Sequence, residues 1–298
     1  MTRIRSTDAS QIDDRRGRSS GGGRLGFPFP TGGGAGGLPI PTKAGGGLVG
    51  VLIVLAAMFL PRLLAGANEA VSTGDGQPTS SVGTCETELE QILCGATNDV
   101  QAYWTEMYPQ AFGSAYTPTR TVFFSQYAAT GCGQATSQVG PFYCPLDALV
   151  YFDLDFLVQL QGQFGATGDL AAQYIVAHEY GHHIQNLNGT SEEVQQVQRT
   201  NPGLSNQYSV ALELQADCYA GTWVHDADRR GLIDDGEVIN EAINAAEAVG
   251  DDRIQQRTQG RADPESWTHG SADQRAEWFR LGFETGDPTR CDTFAELR

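Results

Sequence analysis

His178-Glu179-Tyr180-Gly181-His182 is an H-E-x-x-H sequence, and the rest of the chain is best interpreted outward from it. An α-helix turns about 100° per residue, so side chains four positions apart lie on one face. His178 and His182 can therefore present two imidazole nitrogens to the same metal ion. Glu179 follows the first histidine and can accept a proton from a water bound to that metal. Zinc suits this pair, because it binds neutral imidazole and keeps a position for water.

The residues around this sequence predict one long helix with a buried face. Asp169 is a predicted N-cap, Gly189 is a predicted C-terminal stop, and the helix is expected to end at Leu187. The alternative is a buried helix with incidental histidines. The helical spacing argues against it, because both histidines continue an apolar stripe made of Ala171, Tyr174 and Ile175.

A catalytic zinc site needs a third protein ligand. A longer form of the sequence would supply a third histidine, but the positions concerned are Gln185 and Asn188. Glu213 and Asp217 lie four apart on the apolar face of a helix predicted from about 205 to 228. An acid on such a face is unfavourable unless it is paired. We therefore predict Glu213 as the third ligand and Asp217 as the acceptor of a ligand histidine's second N–H. The alternative is a solvated acidic face.

The charge of the chain is divided unevenly. Of its 298 residues, the first 66 carry a net charge of +5 and the remainder −22, which together make −17. An acidic body argues against nucleic acid as a partner, since phosphate binding requires a basic surface.

The N-terminal part of the sequence predicts a membrane anchor. Residues 1–43 are rich in Gly, Arg and Ser and are expected to form a disordered cytoplasmic tail. Residues 44–66 contain an uninterrupted apolar run and are expected to form one transmembrane helix. The preceding arginines favour an N-terminus inside the cell and a body outside. Residues 67–84 are a predicted linker, and residues 85–298 the zinc-binding domain.

A cleaved signal peptide is the alternative for the apolar run. Ala65-Gly66-Ala67 resembles an A-x-A cleavage site. However, 43 residues precede the run, which is long for the charged region of a signal peptide. The sequence therefore favours an anchor that is retained in the cell membrane.

All six cysteines follow the apolar run, which suggests disulfides in an exported body. Six cysteines allow 15 pairings. Proximity in sequence suggests Cys85 with Cys94 and Cys132 with Cys144, which leaves Cys218 with Cys291. No C-x-x-C spacing is present, so a structural zinc site made of cysteines is not expected.

The fold class predicted from apolar spacing is α+β. Helical patterns at 86–93 and 98–108 precede two strand patterns at Arg120–Tyr127 and Ala148–Phe152. Helices dominate after the second strand, and the last one is predicted over 271–283 with Ser271 as its N-cap. The expected domain is mainly helical with a small sheet that leads into the H-E-x-x-H helix.

Three segments together resemble the bacterial family of "putative neutral zinc metallopeptidases". They are His178-Glu-Tyr-Gly-His-His-Ile-Gln, Glu213-Leu-Gln-Ala-Asp-Cys-Tyr-Ala-Gly and His269-Gly-Ser-Ala-Asp-Gln-Arg275. The glycine-rich N-terminus and Gly140-Pro-Phe-Tyr-Cys-Pro145 are similar too. More distantly, the order of the segments resembles gluzincin peptidases that process membrane proteins.

This resemblance implies a zincin-like fold and roles for individual residues. One zinc ion per chain would be held by His178, His182 and Glu213. Asp217 and Arg275 would lie behind the ligands, with Arg275 and a later His269 also near the substrate. One departure is Gly270, where the processing peptidases usually have proline.

The function implied is a membrane-anchored metallopeptidase that hydrolyses peptide bonds outside the cytoplasm, with a peptide or protein as substrate. Glu179 would be the catalytic base and His269 would stabilise the oxyanion. The main alternative is a catalytically silent scaffold or assembly factor that binds a protein partner in the membrane or envelope. A third hypothesis is a zinc amidase acting on cell-wall peptides. Loss of peptide turnover in Glu179→Gln would separate the first two.

Overall fold

The structure is a computed structural model that describes residues 2–16, 83–136, 139–158, 168–233 and 236–298. It is a mainly helical domain with a small mixed sheet. The predicted transmembrane helix at 44–66 and nearly all of the linker at 67–84 lie outside the described residues. Within the described ranges, no helix is both long and apolar enough to cross a membrane.

Four strands form the main sheet, and two more form a hairpin beside it. The strands are β1 (Ile12–Asp14), β2 (Arg120–Phe124), β3 (Tyr127–Thr130), β4 (Gly133–Thr136), β5 (Phe142–Cys144) and β6 (Leu149–Asp153). The sheet order is β1-β2-β6-β5, in which only β5 runs antiparallel to its neighbour. The hairpin pairs β3 with β4.

Alternation along the strands divides the core between the two faces of the sheet. Phe123 and Phe152 belong to the large core shared with the helices, while Val122 and Tyr151 belong to a smaller core under the hairpin. The hairpin is held to β5 by the disulfide between Cys132 and Cys144. This places β5 in a fixed position at the end of the sheet.

The helices are α1 (Glu88–Phe112), α2 (Asp169–Leu187), α3 (Thr190–Thr200), α4 (Ser205–Arg229), α5 (Gly236–Ala248), α6 (Asp251–Gln259) and α7 (Ala272–Thr285). The predicted bounds of α2 agree with the structure, although its N-cap is Gly168 rather than Asp169. Ser271 caps α7 as predicted, in a capping box with Gln274. The two helices expected at 86–93 and 98–108 are one continuous helix, α1.

Helices α4 and α7 approach each other closely because glycines face the contact. A Cβ on Gly221 would lie 2.1 Å from the carbonyl oxygen of Phe279, and one on Gly282 would lie 2.0 Å from that of Cys218. Side chains at either glycine would separate the helices. The close contact carries Arg275, at the start of α7, toward α4.

The other two disulfides also have the predicted pairing. Cys85 is bonded to Cys94 in α1, and Cys218 in α4 is bonded to Cys291 near the C-terminus. All six cysteines are therefore paired as sequence proximity suggested.

Residues 2–16 differ from the disordered tail that was expected over 1–43. They form an N-terminal arm that lies on the domain and contributes β1, which pairs in parallel with β2. Ile4 and Ile12 are buried in the main core. Composition suggested disorder because the arm has few apolar residues, but those few are placed where the domain buries them.

Candidate metal centre

The close approach of α2 and α4 brings the two metal-binding sequences together. A Cβ on Gly181, between the two histidines, would lie 3.0 Å from Cα of Ala216 and 3.1 Å from its Cβ. Glycine at this position lets α4 cross close to α2. Glu213 lies one turn before Ala216 and is thereby placed opposite the histidine pair.

Three side chains direct ligand atoms at one point. Nε2 of His178 lies 3.3 Å from one carboxylate oxygen of Glu213, and Nε2 of His182 lies 3.5 Å from the other. The ligand atoms of the three residues all lie within 4.8 Å of one another. The two imidazole rings are 4.8 Å apart and nearly perpendicular, at 85°. This spacing suits one metal ion held by two nitrogens and a carboxylate.

Each histidine is oriented by a hydrogen bond from its other ring nitrogen. Nδ1 of His178 donates to Asp217 over 2.8 Å, and Nδ1 of His182 donates to Oε1 of Gln185 over 2.8 Å. Because Nε2 of Gln185 donates to the carbonyl of Leu212, its oxygen is the atom left to accept. Both Nδ1 atoms therefore carry their hydrogen in the hydrogen bond, which leaves both Nε2 lone pairs for the metal.

Asp217 is the centre of a fully buried cluster. Arg275 donates to both of its carboxylate oxygens, at 2.7 and 2.9 Å, and the hydroxyl of Tyr174 donates to the oxygen that also accepts from His178. Asp217 has no measurable exposure and Arg275 is 3% exposed. Arg275 therefore lies behind the candidate ligands and is connected to His178 through Asp217.

His269 lies just before α7 and lines the same cleft as Glu213. Its backbone N–H and that of Thr268 donate to one oxygen of Asp251, at 2.6 and 2.7 Å, and its Nδ1 lies 3.3 Å from the other oxygen. The next residue, Gly270, has φ +85°, which the proline ring cannot adopt. This backbone conformation accounts for the departure from the gluzincin pattern.

Burial and charge act against each other at these ionisable groups. Burial alone would lower the pKa of His178, but Asp217 and Glu213 raise it to about 10. Burial alone would raise the pKa of Glu213, but His182, His178 and His269 lower it well below its usual value. Burial raises the pKa of Glu179, and the two histidines only partly offset this. The protein therefore concentrates groups of opposite charge around Glu213.

The metal-binding residues lie in the wall of a cleft that is otherwise mainly apolar. Glu179, His269 and Arg275 line the same cleft. Its apolar wall is formed by side chains from β5, from the residues next to β5 and α5, and from three helices: Val139, Phe142, Ile175, Leu212, Val249 and Ile254. A molecule bound in this cleft would contact the three candidate metal-binding residues and the apolar surface around them.

Comparison with known proteins decides the family. Over residues 1–294 the chain matches the family described as "Putative neutral zinc metallopeptidase". The chain belongs to this family. It is 38% identical over 290 residues to the uncharacterized protein YpfJ of Escherichia coli strain K12, a match that covers 97% of each chain. It is 48% identical over 208 residues to the uncharacterized protein Rv2575 of Mycobacterium tuberculosis strain H37Rv, covering 66% of this chain and 68% of that protein. No solved structure matches the chain.

The donor set of the candidate site fits zinc. Two imidazole nitrogens and one carboxylate oxygen are typical catalytic zinc ligands, and all three side chains line the cleft. The side chain of Glu213 is only 12% exposed and its carboxylate faces Nε2 of both histidines, so a divalent cation held there would match its negative charge.

Four features of the candidate site were not predicted from sequence as parts of it. Gln185 was noticed only because it is not a histidine, and Tyr174 only as an apolar residue of the buried stripe. Asp251 was not singled out. The segment Gly140–Pro145, noted as part of the family resemblance, lines the cleft. A polar residue three positions after His182 was the available signal for Gln185, since i and i+3 share a helix face.

Proposed function

We propose that this chain is a zinc-dependent metallopeptidase with a zincin-like fold that hydrolyses peptide bonds. The observation that carries the proposal is the convergence of His178, His182 and Glu213 in a cleft beside the buried carboxylate of Glu179. Metal-assisted hydrolysis needs an open coordination position and a general base beside it. These residues supply both.

Zinc held by these residues would supply a water of lowered pKa and would polarise the scissile carbonyl. Glu179 takes the proton of the attacking water and passes it to the leaving amine. Burial raises the pKa of Glu179 toward the range in which a carboxyl group can both accept and return a proton. His269, whose Nδ1 lies near Asp251, would donate a hydrogen bond from Nε2 to the developing oxyanion.

The substrate class follows from the cleft wall. An apolar wall favours a substrate with a large apolar side chain next to the scissile bond, because burying that side chain contributes about 25 cal/mol per Å². Strand β5 lines the cleft, and among the described residues it pairs only with β6. An extended peptide can add to such an edge strand through backbone hydrogen bonds. The proposed substrate is therefore an extended, apolar segment of a polypeptide.

The proposed location is outside the cytoplasm. Three disulfides in a domain of this size are typical of an oxidising compartment. The predicted attachment through residues 44–66 lies outside the described residues and stays a prediction.

The decisive experiment compares the purified wild-type protein with Glu179→Gln on a pool of quenched fluorescent peptides that carry large apolar side chains. We expect turnover by the wild type, loss of nearly all turnover in the variant, and equal zinc content in both. A second pool with the apolar side chains replaced by Ser and Asp should be cleaved more slowly. Zinc binding without any turnover by the wild type would favour the scaffold function instead.

A further inference from the structure

The two described segments that flank residues 17–82 meet in space. The backbone N–H of Gly83 donates to the carbonyl of Ile12 over 3.4 Å. A Cβ on Gly83 would lie only 2.8 Å from the side chain of Ile12, so the contact requires glycine. The chain that leaves the N-terminal arm after Arg16 therefore returns to the domain beside the same arm.

The arm is integrated into the domain rather than resting on its surface. Beyond the pairing of β1 with β2, the amide of Gln173 in α2 donates to the hydroxyl of Thr2 at 2.9 Å and to the carbonyl of Ile4 at 2.7 Å. Gln173 is completely buried. A Cβ on Gly95 in α1 would lie 2.7 Å from Cα of Arg5, so α1 also approaches the arm at backbone distance.

Opposite charges surround the arm as well. Arg5 forms ion pairs with Glu88 over 2.8 Å and with Asp169 over 2.7 Å. Arg16 pairs with Glu90, the residue that completes the capping box of α1. Two of the arginines that suggested a cytoplasmic tail are thus paired with acids of the domain.

We propose that residues 2–16 dock on their own domain and lie in the same compartment as the metal centre. A bilayer has a hydrocarbon core of about 30 Å, and hydrogen-bonded strands cannot be separated by it. A single crossing between residues 17 and 82 would put the arm and the domain on opposite sides. Docking of the arm therefore excludes the single-pass, N-terminus-inside topology that the apolar run suggested. This inference does not depend on the proposed activity.

The experiment places single cysteines in the full-length chain and labels intact spheroplasts with a membrane-impermeant maleimide. All six native cysteines are paired, so the wild type is the unlabelled control. Thr7→Cys reports the side of the exposed arm, and Ser114→Cys reports the side of the exposed domain surface. We expect both variants to be labelled equally, either both before permeabilisation or both only after it. Labelling of Ser114→Cys in intact spheroplasts with labelling of Thr7→Cys only after permeabilisation would overturn the proposal.

Docking itself is tested with a third variant in the purified protein. Ala9 is 8% exposed in the docked arm, two residues from the exposed Thr7. Ala9→Cys should be labelled at least tenfold more slowly than Thr7→Cys in the native protein and at the same rate after denaturation. Equal rates in the native protein would show that the arm is not docked and would also overturn the proposal.

Discussion

At the scale of single residues, the two candidate ligand histidines are supported by partners of different charge. His178 donates to the carboxylate of Asp217, which is itself neutralised by Arg275, whereas His182 donates to the neutral amide of Gln185. A carboxylate partner makes an imidazole a stronger metal ligand than an amide does. His178 is therefore hydrogen-bonded to a buried ion pair, and His182 is hydrogen-bonded to a network of amides.

Glu213→Ala and Asp217→Ala should have different effects, because Glu213 is a candidate metal ligand and Asp217 supports a ligand from behind. Glu213→Ala removes a direct ligand and should lose most zinc while the domain remains folded. Asp217→Ala should weaken zinc binding roughly 10–100-fold. It should also lower the free energy of unfolding by about 3–5 kcal/mol, because it leaves Arg275 buried without its partner. Zinc titration and urea unfolding of the metal-free proteins measure the two effects, and equal stability of the two variants would contradict the predicted role of the ion pair.

Gln185→Ala tests the amide partner of His182. Without an acceptor for Nδ1, the ring can rotate and change tautomer, so we expect zinc affinity to fall by roughly tenfold or more. Gln185→Glu restores an acceptor and should recover affinity. Gln195→Ala is the matched control, since Gln195 lines the same cleft on α3 without a described bond to either histidine. Loss of affinity in the control alone would show that the cleft, and not the hydrogen bond, determines binding.

The residues that could be predicted are those whose relationship is local in the sequence. His178 and His182, and Glu213 and Asp217, were found because four-residue spacing places side chains on one helix face. The contacts of Gln185 with Leu212, of Tyr174 with Asp217 and of His269 with Asp251 join separate elements. No periodicity records them, so they required the structure.

At the scale of secondary-structure elements, α2 and α4 were predictable because each has a long, regular apolar stripe. The separation of α1 into two helices was wrong, because the patterns at 86–93 and 98–108 belong to one helix that continues through Gly95. Gly95 is instead required within the helix by the backbone of Arg5. A glycine that serves a distant contact looks the same in the sequence as a glycine that ends a helix.

The crossing of α2 and α4 predicts the effect of Gly181→Ala. The added methyl group would lie 3.0 Å from α4 and push the helices apart, at a cost of about 1–3 kcal/mol. Glu213 should move away from the histidines, so zinc affinity should fall together with the melting temperature. Gly203→Ala is the control, because a Cβ there meets nothing within 4 Å. Thermal unfolding and zinc titration of both variants provide the comparison, which fails if Gly181→Ala retains full affinity.

At the scale of the whole molecule, composition was a poor guide to the arm. Residues 2–16 are polar and basic, and local composition could not show that the domain offers acids and a strand edge to receive them.

His183 is another residue whose contacts join distant parts of the chain. Its Nε2 donates to the carbonyl of Thr117 over 2.7 Å and its Nδ1 accepts from the hydroxyl of Tyr143 over 3.0 Å.

His183 predicts a loss of stability in acid. Burial lowers its pKa to about 4, which the Thr117 carbonyl only partly offsets. The unfolded chain binds this proton below about pH 6.5 and the folded chain only below about pH 4. Because the unfolded state holds more protons in that window, stability should fall as the pH drops through it. Urea unfolding of the metal-free wild type and of His183→Gln measures how the free energy of unfolding changes with pH. Measurements at about pH 7, 5.5 and 4 span the relevant window. The variant should show the smaller decrease, and parallel slopes would refute the assignment.

The disulfide between Cys218 and Cys291 has a practical consequence for handling the protein. The carbonyl of Cys291 accepts from Gln215 over 2.8 Å, and Gln215 in turn accepts from Gln185, the partner of His182. Reduction of the disulfide would free the C-terminal segment. The hydrogen bond between Gln215 and Cys291 would then weaken, and with it the support that Gln215 and Gln185 give to His182. Preparations made in thiol-containing buffers should therefore lose zinc faster to a chelator than oxidised preparations do. Comparing the release rates of both, with reoxidation to restore the slower rate, tests this. Equal rates would show that the metal is held independently of the C-terminal segment.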